Sequence, residues 1–451
     1  WFYRKLRKED FIHLKSENFI LKINPLFNLT YSRDREAEQT AFNNTRGIEI
    51  KGSIGTKFLF YSAFYENQAR FEPYINSEIL NSLVAPGQGA VKILENNKFD
   101  FSRATGYLSY SPVSNLNIQA GHSKHFIGEG YRSLLLSDNS FNYPFLKISA
   151  TYGKLKYTVL WNQYQSFNGA YYNYHQRKYG AINYLSWVPK PGYEIALFES
   201  VMWPGNTAEN NNNFNLNYFN PLLFSRSLIY GLNNEKNILL GINTKIRIYQ
   251  FAQFFGQLAL DNLDRENVSG NNYAFQVGIK HFDLFHEKLK NQTMFFHAEF
   301  NFITPYTYSW EDPLQSYTHY NQSLTHPSGT GLKEILVTTK YNFKDLVLVL
   351  RGSYLENSID TMATNFGSNP FLPSELIDGV ISNIGNKPGQ GIKNELIHFY
   401  SELSFCINPA TNMKLFLGAH YRKSMNTINK NESMFYTIGI KTDLNNYYYD
   451  F

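Results

Sequence analysis

Residues 293–303 read Thr-Met-Phe-Phe-His-Ala-Glu-Phe-Asn-Phe-Ile, and their alternation decides the fold. Met294, Phe296, Ala298, Phe300 and Phe302 fall on one side of an extended chain, while His297, Glu299 and Asn301 fall on the other. Side chains alternate across a strand with period two, so one face of this segment is apolar and the other polar. A soluble sandwich would bury the apolar face against a second sheet. A barrel in lipid turns it outward to hydrocarbon and keeps the polar face inside, because a charge on the lipid face costs roughly 2–4 kcal/mol near the midplane. Residues 237–248 repeat the pattern: Ile238, Leu240, Ile242, Ile246 and Ile248 oppose Asn243, Lys245 and Arg247. So do residues 393–406, where Ile397, Phe399, Leu403 and Phe405 oppose His398, Glu402, Ser404 and Cys406. The stretch 56–66 is apolar on both faces.

Working outward from these segments, the same period predicts about eighteen strands, near 18–32, 43–54, 56–66, 101–111, 115–122, 144–152, 155–164, 178–188, 192–203, 237–247, 251–261, 272–282, 293–303, 331–342, 345–355, 393–406, 413–421 and 434–443. Most lie close to the ~9–11 residues that cross a bilayer at a tilt. Their connections alternate in length. A turn at Gly55 is followed by the long stretch 67–100, and Pro112-Val113-Ser114 by 123–143. Gly153-Lys154 is followed by 165–177, Pro189-Lys190-Pro191 by 204–236, and Asn342–Asp345 by 356–392, with 283–292 intermediate. Long loops at one end and short turns at the other are the habit of outer-membrane barrels, with short periplasmic turns and long extracellular loops. A large soluble all-β protein is the competing reading, and it gives no reason for this rhythm.

Composition agrees. Of 451 residues 17% are aromatic and only 18% charged, against about a quarter charged in a soluble domain. Mean hydropathy is nevertheless −0.39, and the longest clean apolar run, Leu346–Leu350, falls far short of the ~20 residues of a membrane helix. That excludes a helical membrane protein. The net charge of +5 is modest and its basic residues scattered, so no nucleic-acid partner is expected. The single cysteine, Cys406, allows no internal disulfide. No linker divides the chain: residues 1–17 are expected to form a short N-terminal periplasmic segment and 18–451 one outer-membrane barrel. The chain opens on Trp1, as a processed start would. Trp161, Trp187 and Trp203 at strand ends suit interfacial girdles. The closing Tyr447-Tyr448-Tyr449-Asp450-Phe451 looks like the terminal aromatic signal read by barrel-insertion machinery.

Chemistry-bearing motifs are sparse. There is no HExxH, GxSxG, P-loop or dinucleotide glycine pattern, so neither catalysis nor a cofactor is expected. His122 and His125 are three apart where a strand enters a loop, and ordinary polar loop contacts account for them better than a metal does. The expected lumen carries Glu49, Lys51, Lys245, Arg247, Lys280, His297, Glu299, Glu334, Glu402 and Lys414. Neither sign dominates, which fits ion pairs that brace the wall and anchor folded-in loops better than a selectivity filter. Loop segments such as Tyr171-Tyr172-Asn173-Tyr174-His175 and Tyr306-Thr307-Tyr308-Ser309-Trp310 mix rings and amides, suited equally to sugar stacking and to generic packing.

Several longer stretches carry a family resemblance. Phe126-Ile127-Gly128-Glu129-Gly130-Tyr131-Arg132-Ser133-Leu134-Leu135-Leu136-Ser137-Asp138 resembles a signature of Wzi-like capsule-assembly proteins, and more closely of the gliding-motility RemB group. His319-Tyr320-Asn321-Gln322-Ser323-Leu324-Thr325-His326-Pro327 resembles a second motif of that group. So do Asn44-Thr45-Arg46-Gly47, Tyr65-Glu66-Asn67-Gln68-Ala69-Arg70-Phe71 and Pro86-Gly87-Gln88-Gly89. The resemblance runs from about residue 19 to the end. It implies an eighteen-stranded outer-membrane barrel without known catalysis, whose relatives organise surface polysaccharide or take part in surface motility. Capsule-type relatives carry an N-terminal helical region, whereas little precedes the first strand here, so no periplasmic module is carried over.

The leading expectation is a non-catalytic barrel in the outer membrane of a Gram-negative bacterium, engaging surface polysaccharide or a neighbouring surface complex through loops such as 304–330. The alternatives are an accessory subunit of a larger secretion, assembly or motility complex, and a diffusion porin. Its partners would be outer-membrane lipid and lipopolysaccharide, surface polysaccharide and other outer-membrane proteins. The charged and amide members of the motifs, Arg46, Arg70, Glu129, Arg132, Asp138, His319, Asn321, Gln322 and His326, are the candidate loop residues. They would bind ligand or hold loops in the barrel mouth by charge-assisted hydrogen bonds.

Overall fold

A computed structural model describes residues 2–35, 39–167, 175–205, 220–225, 237–261, 272–285, 291–360, 364–372, 386–442 and 446–451. Eighteen antiparallel strands form its wall: β1 (Phe19–Asp34), β2 (Thr40–Ile54), β3 (Phe58–Arg70), β4 (Lys98–Val113), β5 (Leu116–Ser123), β6 (Tyr143–Tyr152), β7 (Leu155–Phe167), β8 (His175–Trp187), β9 (Tyr193–Pro204), β10 (Asn237–Arg247), β11 (Ala252–Asp261), β12 (Asn272–His281), β13 (Gln292–Ile303), β14 (Leu332–Phe343), β15 (Leu346–Ile359), β16 (Ile392–Asn408), β17 (Met413–Asn426) and β18 (Lys430–Lys441). Each pairs with its neighbours in sequence, and β18 returns to β1 from Asn28↔Lys441 to Asp34↔Phe435, closing the cylinder. Closure leaves no edge with unpaired backbone groups, the condition for a sheet to stand in hydrocarbon. Every expected strand has its counterpart.

The alternation sorts the faces as predicted. Outward Leu29, Ile48, Phe64, Leu108, Ile335, Leu403, Leu417 and Ile438 are exposed, while inward His297, Glu299, Asn301 and Glu334 are buried. At the loop end β17 and β18 run further than their apolar pattern, so a hairpin at 427–429 replaces the longer connection expected there. Arg422, Lys423, Lys430 and Glu432 continue the ladder where no hydrocarbon imposes an apolar face.

Residues assigned to a periplasmic segment join the wall. Because β18 stops opposite Asn28, the turn-end half of β1 would be an open edge; Ile12–Ser16 pairs with it, from Ile12↔Ile23 to Ser16↔Phe19. Asp10 anchors this strand by accepting from Lys22 Nζ at 2.8 Å and Asn24 Nδ2 at 3.0 Å. The helix α1 (Phe2–Arg7) sits against β16, where Asn408 Nδ2 donates to the carbonyls of Lys5 and Glu9.

One sector of the outer wall departs from the rule. Val159, Ala181, Asn183, Glu199, Val201 and Trp203 have outward parity on β7–β9 and are buried. Residues 220–225 lie over this sector: Phe224 N–H donates to Glu199 Oε2 at 3.0 Å, and Tyr157 Oη–H donates to the Pro221 carbonyl. Asn183 Nδ2 donates to the same carboxylate at 3.2 Å. A carboxylate with lipid-side parity is thus satisfied by protein donors. Trp203 and Trp161 pack in this patch with Ala181 and Ile238, so of the three expected girdle residues only Trp187 is exposed at a strand end.

Candidate functional site

The lumen is open at the turn end and filled above. Inward Leu59 is 52% exposed near the turns, whereas inward Phe99 and Ala69 near the loops are fully buried. Segments 71–97, 124–142, 304–331 and 446–451 supply the filling, and the first carries the helix α2 (Pro73–Ser82).

Arg132 is its hub. With no exposed surface, it donates from Nε and Nη2 to the two oxygens of Glu334 on β14, at 3.2 and 2.9 Å. It also donates from Nη1 to Asp450 Oδ1 at 2.9 Å and from Nη2 to the Asp450 carbonyl at 3.0 Å. The planar guanidinium matches the forked carboxylate, which a lysine could not do. Burial alone would pull its pKa down, but the Asp450 and Glu334 carboxylates hold it well above the usual value. His326 Nε2 reaches Glu334 Oε2 at 2.9 Å, tying 304–331 to the same carboxylate. Glu299 on β13 accepts the backbone N–H groups of Tyr131 and Arg132, at 2.7 and 3.1 Å.

The preceding glycines explain themselves by close approach. A Cβ on Gly128, at φ +150, would stand 2.4 Å from Gln257 Nε2, and one on Gly130 would stand 2.6 Å from the Arg132 carbonyl and Gln276 Nε2. The loop presses its backbone on β11 and β12, whose glutamines bond it: Leu134 N–H donates to Gln257 Oε1 at 2.8 Å, and Gln276 Nε2 donates to the Arg132 carbonyl at 3.0 Å. Glu129 reaches toward the turn end, pairing with Lys245 at 2.9 Å, which also pairs with Glu194. Leu134, Leu135 and Leu136 form the apolar centre with Tyr308 and Tyr317, whose hydroxyls donate to the carbonyls of Leu134 and Leu135.

The other motif residues bind the segments to one another. His319 accepts Gln165 N–H at Nδ1 (3.0 Å) and meets the Asn142 carbonyl at Nε2 (3.1 Å), a pattern that needs the neutral ring; burial lowers its pKa to about 3. Asn321 Nδ2 donates to the Ser82 carbonyl, and Gln322 bonds both the Ala85 carbonyl and Gly87 N–H. Asp138 accepts Tyr448 Oη–H at 2.6 Å, and its carbonyl accepts Lys124 Nζ, whose pKa burial lowers to about 7. Arg46 and Arg70 stand apart, and their placement as loop residues is corrected. Arg46 lies on β2 with the parity of exposed Ile48, and Arg70 ends β3 with its guanidinium over the Phe42 ring.

Of the expected lumen set, Lys51 pairs with Glu49 at 2.6 Å and Glu402 with Lys441, a residue outside that set, at 2.6 Å, while Glu299, Glu334 and Lys245 hold the loop at 129–132. Lys280 lies over Phe255, and Arg247 packs beside Gly192. His122 packs on Phe141 and His125 on Phe145, so the two rings face different neighbours. The aromatic run 306–310 is not a solvent-facing sugar platform: Tyr306 and Tyr308 are fully buried and Trp310 nearly so. The run 171–174 lies outside the described residues. Nor do 447–451 extend a wall strand; they run inside the lumen, and Asp450, Tyr448 and Gln257 are the partners that sequence reading missed. Only the unusual density of Tyr and Asp beyond the last alternating segment marks them.

Above the plug lies a vestibule of about 600 Å³, within the range of roughly 300–1,000 Å³ typical of ligand sites. Amides line it (Asn81, Asn139, Asn321, Gln322, Asn357 and Asn394), with Phe371 and Phe451 as apolar faces. Among the described residues Asn81 has no side-chain hydrogen-bond partner, and Asn357 Nδ2 has none.

No family model matches the chain, and no curated protein does. Among solved structures it is similar to Escherichia coli Wzi, described as an outer-membrane protein involved in group 1 capsule assembly and a carbohydrate-binding β-barrel. Identity is 14% and the TM-score 0.57, over 92% of this chain and 83% of that one. Pseudomonas aeruginosa OprD matches at 10% identity and TM-score 0.47, over 97% of this chain and 100% of that one. At these identities the likeness concerns the fold: a closed eighteen-stranded barrel of the outer-membrane kind.

Proposed function

We propose that this chain is a non-catalytic barrel of a Gram-negative outer membrane that binds surface polysaccharide in its loop-end vestibule. The observation that carries the reading is the amide-lined cavity over a sealed floor. Amides both donate to and accept from sugar hydroxyls, aromatic faces cover sugar rings, and a plug beneath makes the cavity a place to hold a chain. The carbohydrate binding described for Wzi, whose barrel this one resembles, supports it. The plug argues against the freely open diffusion pore.

Isothermal titration of the detergent-solubilised barrel with fragments of its own cell-surface polysaccharide tests the reading. Asn81 and Asn357 keep bonding capacity to spare, and one hydrogen bond contributes about 0.5–1.5 kcal/mol. The double variant Asn81→Ala, Asn357→Ala is therefore expected to bind about tenfold more weakly, with the unfolding midpoint lowered by no more than the loss of the single Asn394–Asn357 hydrogen bond. Equal affinity in parent and variant would remove the vestibule from the account. Deleting 304–330 is unsuitable, because that segment is plug interior.

A further inference from the structure

A second cavity, of about 530 Å³, lies on the turn side of the vestibule and shares its wall. On β15 the vestibule touches Leu355 and Asn357 and the second cavity Val349 and Arg351. On β16 the division falls between Leu396 and His398, and on β17 between Arg422 and His420. On β16 and β17 this is a step between consecutive inward positions, about 7 Å along a strand; on β15 the inward Ser353 stands between the two sets. The two cavities are therefore stacked along one stretch of wall, separated by a partition one side-chain layer thick.

Residues 446–451 contribute to that partition. Phe451 lines the vestibule, while Tyr447, Tyr449 and Asp450 line the cavity beneath. The segment belongs to no sheet. Its ties are side-chain contacts, among them Asp450 with Arg132 and Arg351, Tyr448 with Asp138, Gln88 with the Tyr449 hydroxyl at 2.8 Å, Arg422 Nε with the Phe451 carbonyl at 3.1 Å, and ring contacts of Tyr448, Tyr449 and Phe451 with Tyr131, Phe71 and Tyr74. Tyr74 Oη–H donates to the Tyr449 carbonyl. By contrast, segments 124–142 and 304–331 bury leucines and tyrosines in a shared apolar centre. Segment 71–97 also borders both cavities but is packed in an apolar cluster of its own, so 446–451, six residues long, is the filling element whose displacement would join the cavities at least cost to either cluster.

We infer that the inward faces of β15–β17 form a latent path for small polar solutes between the vestibule and the turn-end lumen, closed by residues 446–451. Below the partition Arg351, Lys441, Glu402 and the His398–His420 pair give the path both charge signs, so neither small cations nor small anions are strongly excluded. The inference goes beyond polysaccharide binding and does not depend on it.

Swelling of proteoliposomes in small sugars and amino acids, with planar-bilayer conductance, tests the path. The parent chain should be nearly silent, and the chain lacking 446–451 should admit solute at least tenfold faster while keeping its heat-modifiable migration. Equal rates in parent and trimmed chain overturn the inference. Should the trimmed chain fail to fold, Asp450→Asn and Phe451→Ala replace it: each should raise flux several-fold, and two silent variants overturn the inference just as well. The route has its own readout. In a trimmed Cys406→Ser background, Ser353→Cys between the cavities on β15 should let a bulky thiol reagent block conductance; undiminished current would show that solute passes elsewhere and overturn the route.

Discussion

Arg132→Ala is expected to loosen the plug and leave the barrel standing. The substitution leaves buried Glu334 with His326 alone within ion-pair distance among the described residues, and takes from Asp450 its close partner, leaving Arg351 at 3.9 Å. Removing one partner of a buried, hydrogen-bonded pair typically costs about 3–5 kcal/mol, more than the pair's net contribution against an apolar replacement. Limited proteolysis should newly cut within 124–142 and 304–331, while the wall keeps its strand signal in circular dichroism. An unaltered protease map would mean that the apolar centre holds the plug alone. Arg132→Lys should behave nearly as badly, because a point charge cannot reproduce the fork to Glu334. The pH dependence has a definite sign. Burial pushes the Asp450 carboxyl up, but Arg132 outweighs burial and leaves its pKa below the usual carboxylate value. A carboxyl with a lowered folded pKa contributes fully above its unfolded value and loses that contribution only as pH falls through the folded one. The Asp450 contribution to the parent's stability should therefore stay level from about pH 5 to 8 and be lost only in strong acid, whereas Arg132→Ala, with burial no longer offset by Arg132, should recover part of its deficit as pH falls and the carboxyl takes up a proton.

Leu403→Arg should produce the second large effect, in the wall itself. Leu403 stands outward on β16 with 46% exposure, flanked by inward Glu402 and Ser404. An arginine facing hydrocarbon near the midplane costs about 2–4 kcal/mol. Reversible urea unfolding from phospholipid vesicles should show that loss, and Leu403→Met should show almost none. If both unfold alike, this face does not meet lipid.

The sequence disclosed the wall far better than its contents, for a physical reason. Hydrocarbon outside and polar groups inside impose a strict period of two, so β10, β13 and β16 are legible from their residues alone. Where that constraint lapses, so does the signal. β17 and β18 run past their apolar pattern because water lies outside them, and β7–β9 hide Glu199 and Asn183 beneath residues 220–225. The plug has no period. Tyr306, Tyr308 and Tyr317 read equally well as a sugar platform or as packing, and only tertiary contact with Leu134 and Leu135 decides. Arg132 and His326 stood out by motif, but their common partner Glu334 is linked to them only once the barrel closes. Arg46 belongs to a motif but not to a loop: strand parity sets it outward on β2, beside Ile48. Asp450 was hidden because nothing local shows that the chain turns back into the lumen.

A closed cylinder with lipid outside and a filled, polar-lined interior underlies every step above. Single cysteines at 397 to 405 on β16, in a Cys406→Ser background and carrying a spin label in vesicles, test it most directly through collision with oxygen and with a water-soluble nickel chelate. A period of two is expected: oxygen reaches 397, 399, 403 and 405, while 398, 402 and 404 are shielded from it. A profile without alternation, or one in which the chelate reaches both sets equally, would mean that this wall does not separate lipid from a polar lumen.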